Sequence, residues 1–143
     1  MADDGAFERV YTMTDYYDGP RAGIASFQGK PYAYTCPFDH WKDGFADLYE
    51  LRAVDDETLR LALEDWEIWL RWDDAYQAGQ VDLSTHPALP ADRPRHDEIT
   101  PVLAARFAGL PDPAIRARGA FRPSPGHDHA GGGRWMEVRW TVA

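Results

Sequence analysis

Between Asp55 and Gly79 the hydrophobic positions repeat with a helical period. Leu59, Leu63, Trp66 and Leu70 lie on one line of that helix, and Leu61, Ile68 and Trp72 on the next. A stripe this broad belongs to a helix covered on more than one side. Asp55 or Asp56 suits the N-cap, where a side-chain oxygen accepts a free backbone N–H, and Gly79 suits the left-handed position past the last turn. Trp66, Trp69 and Trp72 share this spacing and are expected in the core. A second, shorter helix is expected from Thr100, with Thr100 as cap, Pro101 at the first helical position and Gly109 at the end. Val102, Leu103, Phe107 and Leu110 would form its apolar stripe. Residues 80–97, rich in proline and turn formers, read as irregular.

Elsewhere the period is two. Val10–Thr14, Gly23–Phe27, Tyr32–Cys36 and Asp47–Ala53 alternate or are β-branched and aromatic, with turn signals at Asp18-Gly19-Pro20 and Gln28-Gly29-Lys30-Pro31. Pro37–Asp47 is loop-like. The cleanest alternation comes last: Ile115, Ala117, Gly119 and Phe121 against Arg116, Arg118 and Arg122, then Met136, Val138, Trp140 and Val142 against Trp135, Glu137, Arg139 and Thr141. The expected fold class is α+β. It comprises an N-terminal antiparallel meander or half-barrel, a long central helix, a second short helix and a C-terminal β-hairpin. Residues 1–143 read as a single domain, with 1–8 and 123–133 expected to be mobile.

A 143-residue chain that is 44% hydrophobic can bury a sizeable core without metal or disulfide. The lone Cys36 cannot form an internal disulfide, which fits a reducing compartment. The N-terminus lacks the pattern of a signal peptide, and no apolar run is long enough to span a membrane, so a cytoplasmic protein is expected. The net charge of −9 argues against nucleic-acid binding and favours basic partners. It is uneven: residues 115–143 carry +3 while the rest is acidic.

Three segments, Tyr17-Asp18-Gly19-Pro20-Arg21-Ala22-Gly23-Ile24-Ala25, Leu63-Glu64-Asp65-Trp66-Glu67-Ile68-Trp69 and His86-Pro87-Ala88-Leu89-Pro90, together resemble an uncharacterised group of small bacterial hypothetical proteins. The resemblance implies no activity, cofactor or site.

Four constellations could carry chemistry. In Asp18-Gly19-Pro20-Arg21-Ala22-Gly23 two glycines allow close backbone approach, and Arg21 could grip a carboxylate or phosphate with its planar fork. A tight turn with a local ion pair explains the same residues. Glu64, Asp65 and Glu67 among tryptophans could act as an acid–base pair or hold a cation or sugar, or could simply mark a solvent face that pairs with C-terminal arginines. Arg116, Arg118, Arg122 and Arg139 could form an anion site, or pair across strands with the acidic body. His127 and His129 have metal-like spacing, but zinc needs three or four converging ligands, so no metal and no cofactor are expected. The chain lacks a phosphate loop, dinucleotide fingerprint, nucleophile elbow or Cys/His framework.

The leading expectation is a non-enzymatic acidic binding or accessory protein that engages a basic protein partner, with neither nucleic acid nor membrane as target. The alternative is a small-molecule-binding domain or small enzyme. Its pocket would lie between the N-terminal sheet and the Trp-rich helix, lined by Tyr32, Tyr34, Trp66 and Trp69 with Arg21 or Glu67 as polar anchor. A homodimer through an apolar sheet face, with Trp135 or Trp140 exposed in the monomer, is compatible with either.

Overall fold

The structure, a computed structural model, describes residues 6–16, 19–39, 44–45, 48–125 and 134–143. The chain gathers into two compact units, one of Met1–Val54 with Leu110–Ala143 and one of Asp55–Gly109.

The first unit is all β. Its strands are β1 (Glu8–Tyr16), β2 (Pro20–Phe27), β3 (Lys30–Thr35), the two-residue β4 (Phe38–Asp39) and β5 (Gly44–Phe45), β6 (Leu48–Ala53), β7 (Ile115–Pro123) and β8 (Met136–Val142). The six long strands pair antiparallel in the order β1-β2-β3-β6-β7-β8 and close into a barrel, while β4 and β5 form a small separate ladder within the expected loop. This corrects the α+β arrangement of a half-barrel with a separate hairpin. The hairpin forms, from Ala117↔Val142 to Pro123↔Met136. β7 also pairs with β6, from Leu48↔Arg118 to Leu51↔Ile115, and β8 with β1 at Glu8↔Val138 and Arg9↔Glu137. The physical reason is edge satisfaction. An open sheet would leave β1 and β8 with rows of unpaired N–H and C=O groups, and closure removes both edges.

Closure needs strong coiling, which the β1–β2 pair supplies. Its register slips between Val10 and Thr12, between Met13 and Asp15, and between Asp15 and Tyr16. Each slip raises local twist. Gly23 sits inside this bulged stretch at φ +156°, where a Cβ would fall 2.1 Å from the Thr12 carbonyl oxygen; only glycine fits. The ladder is repaired by side chains. Ile24 N–H donates to Thr12 Oγ1 at 3.0 Å, and Tyr34 Oη donates to Thr12 O at 2.9 Å.

The barrel interior is filled by alternate residues: Val10, Ala25, Phe27, Tyr34, Cys36, Tyr49, Leu51, Ala117, Met136, Val138 and Trp140 are all buried. Trp140 reaches across it, donating from Nε1 to Ser26 O at 3.0 Å. Burying Trp140 inside the barrel removes it from the exposed face that the dimer reading assigned to it. At the end of the barrel where β2 turns into β3, Glu8 closes the turn by accepting from Ser26 Oγ at 2.7 Å and from Gln28 N and Gly29 N at 3.0 Å.

The second unit holds α1 (Asp56–Gln77), a short 3-10 turn (Leu83–Thr85) and α2 (Arg93–Ala108). α1 begins and ends as its sequence predicts: Asp55 accepts from Thr58 N at 2.8 Å, and Gly79 takes φ +74°. Leu61, Ile68 and Trp72 are buried, whereas Trp66 and Trp69 are half-buried and stack on each other at 4.9 Å. α2 starts before the expected Thr100, because Pro94 occupies the first turn and Pro101 is carried inside the helix. Ile99 packs with Leu61, Ile68 and Ala88. Two of the α1 acids singled out above pair with α2: Glu64 with Arg95 at 2.6 Å and Asp65 with His96 at 2.7 Å. Among the described residues no helix is long and apolar enough to cross a membrane.

Candidate functional site

Arg21 is the polar anchor of the site, and local backbone geometry places it. Positions 21, 23, 25 and 27 of β2 face inward by the alternation of the strand. The ladder to β1 runs Tyr16↔Pro20 and then Asp15↔Ala22, so the register steps past Arg21 on that side. On the other side Cys36 N–H donates to Arg21 O at 2.8 Å. A bulged residue beside a strand end is a common way to aim a side chain. Here it aims a guanidinium into the barrel, where Arg21 is only 8% exposed.

The guanidinium meets polar company inside. Nη1 lies 3.4 Å from Tyr49 Oη and 3.7 Å from Cys36 Sγ. Tyr49 Oη in turn donates to Pro20 O at 2.8 Å, which holds its lone pairs toward Arg21. Nη2 lies beside Gly19. A cation taken out of water this far is costly without compensating hydrogen bonds, and these bonds contribute to that compensation.

Around this group the barrel opens into a cavity of about 310 Å³, lined by Tyr16, Gly19, Pro20, Arg21, Tyr49, Gly119, Phe121 and Met136. The lining comes from the end of β1, the start of β2, the start of β6, the end of β7 and the start of β8. These strand ends all meet at one mouth. Its floor is aromatic: Tyr49 packs against Phe121 at 5.5 Å and Trp140 at 5.5 Å, and Tyr34 lies beneath at 6.0 Å from Tyr49. Gly119 keeps the wall open, since a Cβ there would come 2.7 Å from the Trp140 ring. Burial pushes the Tyr34 hydroxyl well above its ordinary value, with the neighbouring Tyr49 adding to the shift. With its proton engaged on Thr12 O, Tyr34 is a fixed wall and not an acid at neutral pH.

Of the residues singled out from the sequence, Arg21 lines this cavity and Tyr34 underlies it. Tyr32 packs edge-on against Phe27 at 5.2 Å and belongs to the core. Glu67 and Trp69 lie in the helical unit, Glu67 exposed and Trp69 stacked on Trp66. Arg116 and Arg118 face outward from β7. Asp18, His127 and His129 lie outside the described residues. Among the described residues no group of three or more His, Cys, Asp or Glu side chains could hold a metal.

Tyr16, Tyr49, Gly119, Phe121 and Met136 were not anticipated as neighbours. The alternation of β7 and β8 gave the inward face of Phe121 and Met136, but only barrel closure brings them to Arg21. Comparison with protein-family models, with curated proteins and with solved structures finds no match to this chain.

Proposed function

We propose that this protein binds a small organic anion with an apolar or aromatic body in the mouth of its barrel. The observation that carries the reading is a buried arginine on the wall of a cavity that also presents aromatic and thioether side chains. A guanidinium is a fork of five donors suited to two carboxylate oxygens, and its hydrogen bonds to a charged acceptor are stronger than those between neutral groups. Tyr16, Tyr49, Phe121 and Met136 would cover the ligand body. The cavity lies at the small end of the range for ligand pockets, about 300–1,000 Å³. Among the described lining residues there is no carboxylate, imidazole or thiol to act as base or nucleophile, so the reading is of a binder rather than a catalyst.

A thermal-shift comparison of benzoate with benzyl alcohol tests it. Benzoate should raise the melting temperature of the wild type in proportion to ln(1 + [L]/Kd), and benzyl alcohol should not. Arg21→Met, which keeps the length of the side chain and loses the charge, should sharply reduce the benzoate effect. Equal shifts from both compounds, or an unchanged benzoate shift in the variant, would sink the proposal.

A second reading rests on charge. Residues 55–109 carry a net charge of −7, which would steer a basic protein partner. Many of these acids are already engaged, Asp92 by Arg71, Glu64 by Arg95 and Glu57 by Arg60, so the cavity ranks first. Salt-insensitive capture of partners, or none at all, would remove this second reading.

A further inference from the structure

The outer wall of the barrel carries a patch opposite in sign to the chain as a whole. On β7, Arg116, Arg118 and Arg122 point outward; on β8, Glu137 and Arg139; on β1, Arg9; on β6, Glu50 and Arg52. The registers Glu50↔Arg116, Leu48↔Arg118, Arg118↔Thr141, Ala120↔Arg139, Arg122↔Glu137 and Arg9↔Glu137 make these one contiguous surface.

Both acids of that surface are already held. Arg122 places Nε and Nη2 at 2.6 Å from Glu137 Oε2. Arg52 lies 3.1 Å from Glu50 and 2.9 Å from Asp112. Among the described residues, Arg9, Arg116, Arg118 and Arg139 have no carboxylate within ion-pair distance, and all four are exposed. Four guanidinium groups on one wall of a chain with net charge −9 thus stand without a carboxylate partner among the described residues, Arg9 lying over the Tyr11 ring and Arg139 5.2 Å from the centre of the Phe7 ring.

We infer that this wall docks an extended acidic protein segment. The barrel is closed, so a partner cannot add as a strand and must be read by side chains. Arg116 and Arg118 lie two residues apart on one face, roughly 6.6 Å along the strand. An extended segment presents alternate side chains at that same spacing, so Asp or Glu at every second position would meet successive guanidinium forks. The wall's rings do not offer bare faces for base stacking: Arg122 covers Phe7 at 3.6 Å and Arg9 covers Tyr11 at 4.6 Å.

The experiment is fluorescence anisotropy on the full chain at low salt, using a labelled peptide of alternating Glu and Thr. The comparison ligands are a peptide of the same composition with its glutamates in one block and an oligothymidylate of equal charge. The wild type should bind the alternating peptide tightest and lose it as salt rises. Exchanging Arg116, Arg118 and Arg139 together for Glu should weaken binding by about tenfold or more with the melting temperature held. Arg118→Ala, a single outward truncation, should give a smaller loss and guards against misfolding of the triple variant. Equal binding by wild type and variants, tighter binding of the oligothymidylate, or no binding of the alternating peptide would overturn the inference.

Discussion

Arg21 shows how one residue can serve the site through a local irregularity. The register slip that passes it by on the β1 side sits at the barrel mouth, and its neighbours Tyr49 and Cys36 receive its guanidinium. Arg21→Met should weaken binding of a carboxylate probe by about tenfold to a hundredfold, the range of one charge-assisted hydrogen bond. Titration calorimetry measures this directly, and it should change more than the melting temperature does. Gly23 is the structural counterpart. Gly23→Ala places a methyl group against Thr12 O and the Tyr34 hydroxyl, and should cost about 3 kcal/mol in chemical denaturation. The sequence pointed to Arg21 through its flanking glycines. It did not point to the reason, because a turn and a bulge share the same glycine signal.

At the scale of elements, Glu8 ties β1 to the β2–β3 turn. Burial raises the pKa of its carboxyl, but the hydrogen bonds from Gly29 N, Ser26 Oγ and Gln28 N outweigh that and hold it below its ordinary 4.5. A depressed carboxyl stabilises the fold fully above its unfolded value, and that contribution fades as pH falls through the folded one. Glu8→Gln should therefore lose stability at neutral pH, by about 1–2 kcal/mol given partial exposure, and flatten the acid limb below about pH 4.5. Denaturant titrations of both proteins across that range read out the difference. In α2, Pro101 sits inside the helix and leaves Asp97 O without its usual donor. Pro101→Ala should stabilise by about 2 kcal/mol, the helix-interior penalty less the entropy proline removes from the unfolded chain.

The elements differ in how far the sequence reveals them. α1 carries its own start signal in Asp55 and stop signal in Gly79, and both act as such. The six long strands follow from alternation and β-rich composition: β1, β2 and β3 begin two or three residues before the expected segments and β1 ends two after, while the other ends fall within one residue. α2 is misjudged at its start because Thr100-Pro101 is a good cap signal, and packing of Ile99 against Leu61 and Ile68 overrides it.

For the whole molecule, the missing information is long-range. β6 and β7 are separated in sequence by the entire helical unit, and β1 and β8 lie near opposite ends of the chain. Periodicity gives each strand an inward face but not its neighbour. Whether the sheet closes is decided by the bulges of β1 and by edge satisfaction, which no local pattern records. The cavity inherits that limit, since five strands contribute to its wall. It combines a local signal, the Gly-Pro-Arg segment, with a global one, closure.

The most direct test is a crystal structure of the protein soaked with 4-bromobenzoate, reading the anomalous bromine signal. The account predicts one strong peak between Tyr49, Phe121 and Met136, with the carboxylate on Arg21, and a markedly weaker peak in Arg21→Met crystals soaked at the same concentration. A cavity left empty at high ligand concentration, or a peak outside the barrel, would contradict it.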